Sequence, residues 1–359
     1  MEKKALYGLF MAAFIAFCFG VWTHPEASAQ PKPEKISLGF VTPWPSTHFT
    51  QVDQATRYFK MVEKAAGGKY LLDIKFFPVS TLLGGAEIYD GVVKGIADAG
   101  TTSLGWTPGK FPVMLTLNQP GVAPPESCDA AAHTIWEFYK KFRPKEFEDA
   151  KVLYCYATGP GWLHTKKPIR TVADMKGMKI RVTGPGVGAV KALGGDPIAM
   201  VMGEVYIAAQ KGIVDALVSP AETLEGWKHH EVFDFSTFVP HLYSEYFWTG
   251  MNLAKWKALP KDLQDAFEAV SEEAMKEAGQ IWQFMQKRGM DFAKKQTGGH
   301  EFLYLPEPEV AKLKKMLEPL GTEYAATLKG RGFPGDEIVK EAGRIVEKYN
   351  KLKYEPWKP

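Results

Sequence analysis

One arginine is placed to bind an acidic ligand. Arg181 lies between Ile180 and Val182 in the stretch KGMKIRVTGPG, which predicts a short buried strand followed by a glycine-rich turn. A guanidinium is a planar fork of donors that matches a carboxylate in two parallel hydrogen bonds. At a strand tip in a cleft, it would suit an acidic solute. The alternative is a structural ion pair with Asp174 or Glu204.

The turn itself, TGPGVGAV at residues 183–190, does not match a nucleotide-binding loop. It has no G-x-x-x-x-G-K-[ST] pattern, and the third glycine of G-x-G-x-x-G would fall at Ala189. Free backbone amides at a helix start still favour an anion. The turn is therefore compatible with anion binding and disfavours a dinucleotide.

Four tryptophans lie near the ends of predicted strands. Ligands of open α/β sheets bind beyond the carboxyl ends of the strands, and small-ligand pockets are mostly apolar with a few fixed polar groups. The alternative for each ring is a place in the core or at a hinge. The four residues are Trp44, Trp106, Trp162 and Trp248.

Other sequence motifs for chemistry are weak. HHEVFDF at residues 229–235 offers two histidines and a glutamate, but adjacent residues do not share a helix face and no third ligand is suitably spaced. We expect this stretch to be solvated surface. The chain contains neither G-x-S-x-G nor H-E-x-x-H.

Strand and helix patterns alternate along the chain, which predicts a mainly parallel sheet covered by helices. The pattern restarts near residue 150 as a second α/β unit without a tandem sequence repeat. Thr171 is the predicted cap of a short helix. Strands are predicted at 35–43, 70–78, 99–106, 150–157, 178–182 and 244–256, and helices at 47–68, 85–100, 171–177, 186–195 and 202–218, the last leading into a strand.

One very long helix is predicted at 260–296, followed by helices at 306–328 and 335–352. The long helix opens with Pro260, has acidic residues early and gathers lysines late. At this length it would run roughly 55 Å, which exceeds one small domain. We therefore expect it to brace two domains.

The first 29 residues are expected to be a cleaved secretory signal peptide. Lys3 and Lys4 precede an uncharged, mostly apolar run at 5–22, and the small residues 27–29 offer a cleavage site. Because the run is about as long as a membrane-spanning helix, an uncleaved anchor is the alternative. Cleavage would export a chain that begins at Gln30 to the periplasm.

Composition sets further limits. The chain of 359 residues is long enough to favour two domains, and its net charge of +3 is too mild to indicate nucleic acid. Beyond the predicted leader, Cys128 and Cys155 remain. An oxidising compartment would permit a bridge between them, and the sequence leaves open whether they form it or are buried thiols.

Two stretches carry motifs of one family. They are KPIRTVADMKGMKIRVTGPG at 167–186 and ALGGDPIAMVMGEVYIAAQKGIVDALVSP at 192–220. Both resemble the substrate-binding proteins of tripartite ATP-independent periplasmic (TRAP) transporters, the DctP-type family, through K-P-I, D-x-K-G, G-x-K-x-R-V, L-G-x-x-P and G-x-V-D. FFPVSTLLGG at 76–85 and MNLAKWKALP at 251–260 extend the resemblance, which runs from about Lys35 to the end of the predicted long helix.

The resemblance implies an α/β fold with the two-domain periplasmic-binding-protein (Venus-flytrap) architecture, hinge strands and a long domain-spanning helix, closing on ligand. Residues 30–157 with 248–285 would form domain I, and 158–247 with 286–359 domain II. It implies a receptor, not an enzyme, without cofactors. The partners would be a small carboxylate ligand and the small and large integral membrane subunits of the TRAP transporter, driven by an ion gradient, and not nucleic acid.

The resemblance also assigns the ligand site. It gives Arg181 the ligand's carboxylate, places Gly184 and Met202 in the cleft lining, and puts Ser219 where the family often has asparagine. The four tryptophans named above belong to the predicted site. Ser46, Ser103 and Thr183 are further candidate ligand-binding residues.

Departures from the family pattern shape the predicted ligand. GPGWLH at 159–164 lacks the second arginine that many members have before K-P-I, and Val218 and Ser219 stand where some members bind a metal through Glu-Trp. We therefore expect no metal and a monocarboxylate with an apolar or aromatic body. The alternatives are the receptor of an ATP-driven importer or of a sensor, and an exported α/β enzyme with Glu204, His48 or His164 as base.

Overall fold

The structure is a computed structural model that describes residues 32–107, 109–122 and 124–357. The predicted signal peptide lies outside these residues. The described residues form eleven strands, which are β1 (Glu34–Val41), β2 (Tyr70–Phe77), β3 (Ala99–Ser103), β4 (Ala150–Pro160), β5 (Trp162–Thr165), β6 (Lys179–Val182), β7 (Asp196–Ala199), β8 (Ala216–Ser219), β9 (Phe235–Phe238), β10 (Ser244–Asn252) and β11 (Glu301–Tyr304).

Helices cover both sheets. The α-helices of the described residues are α1 (Thr56–Ala65), α2 (Ile88–Val93), α3 (Cys128–Phe142), α4 (Gly186–Ala192), α5 (Met202–Gln210), α6 (Thr223–Gly226), α7 (Leu253–Ala258), α8 (Lys261–Ala269), α9 (Ser271–Lys294), α10 (Glu307–Gly330) and α11 (Gly335–Asn350). A π-helical turn at Thr50–Ala55 precedes α1, and 3-10 turns lie at Gly85–Glu87, Leu104–Trp106, Met114–Asn118, Lys145–Phe147, Val172–Met175 and His229–Glu231.

The first sheet has the strand order β2-β1-β3-β10-β4. Strand β1 pairs with β3 in parallel, whereas β10 runs antiparallel to both β3 and β4. The second sheet has the order β11-β9-β5-β8-β6-β7, in which β5 is antiparallel to β8 and β9 while β6 is parallel to β7 and β8. The two-sheet α/β architecture is confirmed, but both sheets are mixed rather than mainly parallel.

The mixed pairing arises where the chain crosses between the sheets. Strands β4 and β5 are separated only by Gly161, yet β4 belongs to the first sheet and β5 to the second. The chain returns between β9 and β10. Strands β5 and β10 each lie next to a crossing, and each is antiparallel to the strands on both of its sides.

The predicted long helix at 260–296 is two helices. Helix α8 ends at Ala269 and α9 begins at Ser271, whose hydroxyl donates to the carbonyl of Phe267 at 3.1 Å. Such a local side-chain bond competes with regular helical pairing. Helix α9 contacts α3 and β4 on one side and α6, which follows β8, on the other. It therefore spans both sheets, as predicted, over 24 residues.

Gly289 lets α9 pack closely against the loop that follows strand β8 of the second sheet. A side-chain carbon at Gly289 would lie 2.4 Å from the carbonyl oxygen of Ala221 and 2.6 Å from the Cα of Glu222. Real carbon atoms do not approach so closely. The helix backbone can thus pack directly on the loop after β8, which holds Glu222 in place.

The structure leaves both cysteines as thiols. Cys128 and Cys155 are fully buried and unbridged, and the Sγ of Cys128 donates to the carbonyl of Thr158 at 3.0 Å. Burial raises the pKa of both thiols. They are therefore packed in the core as small apolar groups.

The predicted domain boundaries stay a prediction. The core around the first sheet includes Ile338, Ala342 and Ile345 of α11, so the last helix packs on that sheet's side.

Among residues 32–107, 109–122 and 124–357, no helix combines the length and apolar character needed to cross a bilayer.

Two helical glycines give a test of this packing. A side-chain carbon at Gly321 in α10 would lie 2.8 Å from the carbonyl oxygen of Gly121, whereas one at Gly343 in α11 would meet nothing within 4 Å. We expect Gly321→Ala to lower the free energy of unfolding by about 1–3 kcal/mol, because the overlap outweighs the gain in helix propensity. Gly343→Ala, the matched control, should raise the melting temperature. Equal melting temperatures for the two variants in circular dichroism would contradict the close crossing.

Candidate functional site

Arg181 is fixed inside the second sheet. It lies in β6, between β7 and β8, opposite Ile198 and Leu217. Its Nε and Nη2 donate to the carbonyl of Met200 at 3.0 and 2.7 Å, and Nη1 donates to the carbonyl of Val218 at 3.4 Å. The side chain is fully buried. Backbone carbonyls, not a counter-ion, therefore set its orientation.

The Arg181 guanidinium has no carboxylate partner within 4.0 Å among the described residues. Asp174 instead accepts from the backbone N–H groups of Arg170 and Thr171 and completes a cap, while Glu204 is exposed. A guanidinium has five N–H donors, so two remain after the three backbone bonds. Burial lowers the pKa of Arg181, and Tyr243, Glu245 and Glu204 oppose the change from beyond ion-pair distance.

Arg181 lines a closed cavity of about 10 Å³, close to the space that one water molecule needs. Side chains from segments far apart in the sequence meet here, from before and after the crossings at Gly161 and between β9 and β10. The other lining residues are Trp44, Trp106, Thr158, Thr183, Met202, Pro220, Glu222, Tyr243, Glu245, Phe247 and Trp282.

Aromatic rings form most of one wall. Trp44 is at its centre, with ring centroids 5.3 Å from Phe247, 5.8 Å from Trp282 and 6.5 Å from Trp106. Its other face stacks on His48 at 4.8 Å with 10° between the planes. The wall therefore consists largely of closely packed aromatic rings.

Glu245 is the first of two buried carboxylates in the cavity, with 1% of its surface exposed. Its Oε1 accepts from the Ser103 hydroxyl at 2.7 Å, the Gly105 N–H at 3.2 Å and the Asn118 amide at 3.3 Å. Its Oε2 is buried without a hydrogen-bond partner. Burial raises the pKa of Glu245, and the bond from Ser103 is the largest opposing influence.

Glu222 is the second carboxylate and is also 1% exposed. Its Oε2 lies 3.1 Å from Nε2 of His48, whose Nδ1 lies 2.9 Å from the Thr50 hydroxyl. Its Oε1 is buried without a partner. His48 follows a strand of the first sheet and Glu222 a strand of the second, so this pair joins the two halves beside the cavity.

The structure brings five of the eleven predicted site residues to the cavity. Ser103 does not line the cavity but bonds Glu245, which does. Gly184 lines a neighbouring cavity of about 290 Å³, and Trp106 and Thr183 line both cavities. The five residues that line the cavity are Trp44, Trp106, Arg181, Thr183 and Met202.

The remaining four lie elsewhere. Ser219 is fully buried and bonds the Thr223 hydroxyl at 2.8 Å, and Ser46 is exposed. Trp162 packs on Phe302 of the second sheet at 5.3 Å. Trp248 packs on Tyr89 in the first sheet's core at 4.9 Å. Trp162 begins β5 and Trp248 lies in the middle of β10, and each ring packs within its own half, which corrects the expectation that all four tryptophans gather at one site.

Sequence reasoning missed Glu222, Glu245 and Trp282. Glu245 did leave a trace, because a charge within the apolar, aromatic stretch SEYFWTG predicts a buried polar group with a purpose. Trp282 lies on the apolar stripe of α9 and is indistinguishable there from a core residue. Glu222 follows β8 in a loop that carries no pattern.

Most of the other histidines singled out in the sequence are buried. His164 is buried, with Nδ1 2.6 Å from the Ser236 hydroxyl, and burial lowers its pKa to about 3. His229 is also fully buried, so HHEVFDF is not the solvated surface we expected, and Nδ1 of His230 lies 2.6 Å from the carbonyl of Leu224. In the part of the chain that the structure describes, no cluster of three or more His, Cys, Asp or Glu side chains is placed to hold a metal.

Comparison with known proteins decides the family. Residues 40–327 match the sequence profile described as "DctP: Bacterial extracellular solute-binding protein, family 7". The chain belongs to this family. The resemblance in the motifs around Arg181 is thereby confirmed.

Individual relatives agree with this assignment. A 2,3-diketo-L-gulonate-binding periplasmic protein of Escherichia coli (strain K12) is 27% identical over 278 residues, 76% of this chain and 79% of that protein. A TRAP solute-binding protein from Rhodoferax ferrireducens T118, in complex with copurified benzoate, matches with a TM-score of 0.81 and 26% identity over 88% of this chain and 99% of that one. A marine metagenome TRAP solute-binding protein of an unidentified microbe, specific for aromatic acid ligands and holding 3-hydroxybenzoate, matches with a TM-score of 0.82 and 26% identity over 89% and 100%.

The small cavity and its indole wall predict an optical signal. Because the cavity holds about one water molecule, the surroundings of the rings that line it, Trp44 among them, must change when an organic acid binds. We expect an organic acid that binds the protein to change its tryptophan fluorescence, and Trp44→Phe to reduce the amplitude of that change. Trp357→Phe, which removes a ring packed on Phe284 away from the cavity, should keep the amplitude. An unchanged amplitude in Trp44→Phe would contradict a binding site against this wall.

Proposed function

We propose that this protein is a periplasmic receptor that captures an organic acid in the cavity around Arg181 and delivers it to TRAP membrane subunits. The observation that carries the proposal is a fully buried guanidinium without a carboxylate in contact. An unpaired buried charge is unfavourable, and binding an anion offsets its cost. The two N–H donors not used by the backbone suit the two oxygens of one carboxylate.

The walls of the cavity support a monocarboxylate with an apolar or aromatic body. Trp44, Phe247, Trp282 and Met202 surround the space in front of Arg181, and Arg181 is the only Arg or Lys that lines it within the described residues. A second acid group would find no second cation there. Benzoate and 3-hydroxybenzoate, which two structural neighbours hold, are acids of this kind.

Capture requires the two halves of the protein to separate. A cavity of about 10 Å³ cannot admit a molecule of the size of benzoate. The two crossings of the chain that lack a helix, at Gly161 and between β9 and β10, are the natural hinges, and the His48–Glu222 contact would open with them. Closure then removes the acid and Arg181 from water together, which strengthens their interaction.

Export and partners complete the proposal. Residues 1–29 would direct secretion and be cleaved, which leaves the chain from Gln30 in the periplasm. Residues 30–157 with 248–285 and 158–247 with 286–359 would be the two domains. The small and large membrane subunits would take the acid from the closed receptor, and no catalytic step or cofactor is required of this chain.

Arg181 gives the direct test. In thermal melting of the protein, denatured and refolded to strip carried-over ligand, we expect at least one monocarboxylic acid from a broad panel to raise the melting temperature by a few degrees. Arg181→Ala should weaken binding by roughly tenfold to more than a hundredfold, since a charge-assisted pair contributes about 1.5–3 kcal/mol. Arg181→Lys should retain part of the affinity, because it keeps the charge but not the fork.

The matched control is Arg170→Ala, which removes an exposed arginine that pairs with Glu301. It should bind the acid like the unchanged protein. Melting without ligand shows whether each variant folds, and Arg181→Lys serves if Arg181→Ala does not. Full affinity in a folded Arg181 variant, or no shift with any acid, would refute the proposal.

A further inference from the structure

The cavity contains more acidic than basic side chains. Arg181 is its one cation among the described lining residues, whereas Glu222 and Glu245 are two acids. Each glutamate is 1% exposed and has one oxygen without a hydrogen-bond partner. A buried polar atom without a partner is costly and rare in native proteins. Two such atoms on the lining of one ligand cavity indicate that the ligand supplies what they lack.

Neither glutamate is satisfied by the protein. The three groups that donate hydrogen bonds to Glu245 are neutral, and all three bond Oε1. Thr183 also opposes the rise in the pKa of Glu245, but Oε2 has no hydrogen-bond partner within normal distance. The described residues place no lysine or arginine within 4.0 Å of Glu222 or Glu245. The one ionisable group in contact with Glu222 is His48. Both carboxyls therefore have capacity left for a donor or a cation.

Charge balance separates the possible ligands. A simple monocarboxylate neutralises Arg181 but adds one negative charge to a closed cavity that already holds two acids. A ligand with a protonated amine and a carboxylate adds no net charge. This difference of one charge is the same whether or not Glu245 carries a proton. With His48 neutral beside Glu222, the charges of Arg181 and the two glutamates sum to zero or to minus one, so a zwitterion leaves less buried net charge than a simple acid and is the better match.

The aromatic wall favours the same ligand. Trp44, Trp106, Trp282 and Phe247 line the cavity together with the two glutamates. The face of an indole ring attracts a cation, and cages of aromatic rings recognise ammonium groups. Carboxylates and indole faces around one space are the surroundings that a protonated amine requires.

We propose that the ligand carries a protonated amine as well as its carboxylate, so that the receptor captures a zwitterionic amino acid with an apolar or aromatic body. Arg181 holds the carboxylate, and Glu222 and Glu245 receive the amine. This inference rests on the proposed function, because it needs Arg181 as the anchor for the acid group.

Ligand pairs that differ only in the amine test the inference. L-Phenylalanine is compared with 3-phenylpropionate, and 4-(aminomethyl)benzoate with 4-methylbenzoate, so that the amine lies near the carboxylate in one pair and far from it in the other. Titration calorimetry on the refolded protein should show the amine-bearing member of at least one pair binding roughly tenfold more tightly or better, the effect of one charge-assisted bond.

Variants assign the preference to the glutamates. Glu245→Gln and Glu222→Gln keep the shape of the side chain and remove its charge. Each should reduce the preference for the amine while the deaminated acid binds at least as well as before. Glu347→Gln, an exposed position on α11 outside the cavity, should leave the preference unchanged. If one cavity variant does not fold, the other gives the result.

The outcomes distinguish this inference from the proposed function. If the deaminated acid binds as tightly as its partner in both pairs, and Arg181→Ala weakens that binding, the receptor function stands and the requirement for an amine is refuted. If 3-phenyllactate, with a hydroxyl in place of the amine, matches phenylalanine, a neutral donor is sufficient and the zwitterion is refuted. If no member of either pair, nor any acid of the wider panel, binds, both proposals fail.

Discussion

A buried positive charge without a counter-ion is the constraint on which the rest of the structure depends. Removing an ion from water costs several kcal/mol even after the surroundings relax. Here the carbonyls of Met200 and Val218 hold the Arg181 guanidinium, and the flanking strands β7 and β8 keep it from turning elsewhere. In the proposed function the sheet thus maintains a site that becomes favourable when an anion occupies it, and Arg181 is a receptor group rather than a structural one.

The two-sheet architecture turns that constraint into a capture device. Arg181, Met202 and Glu222 come from the second sheet and the segments that follow its strands, whereas Trp44, Phe247 and Trp282 belong to the core of the first. Neither half encloses the cavity alone. In the proposed receptor, desolvation of the ligand and closure of the protein would therefore be one event, and the affinity of the closed state would depend on groups that the open state holds apart.

The sequence revealed the local features of this design better than the distant ones. Alternating strand and helix patterns located most elements around the site, and the motif G-x-K-x-R-V marked Arg181 as the candidate carboxylate ligand. Hydrophobic periodicity does not say which sheet an aromatic ring faces, so Trp162 and Trp248 could not be separated from Trp44 and Trp106. Glu245 and Trp282 lie about 60 and 100 residues beyond Arg181 and reach the cavity only through the crossings of the chain. The break at Val270 was missed because helix boundaries depend on side-chain bonds and tertiary packing. Helix α3 was overlooked although its Ser127 cap and its C-terminal lysines are visible in the sequence.

A crystal structure of the refolded protein with the acid that stabilises it most would test the central claim most directly. We expect both carboxylate oxygens of the ligand to lie about 2.7–2.9 Å from Nη1 and Nη2 of Arg181. The guanidinium should still be bonded to the carbonyl of Met200, and the ligand body should lie against Trp44 and Trp282. A carboxylate bound elsewhere, with Arg181 contacting only the backbone, would show that the arginine is structural and would contradict the account.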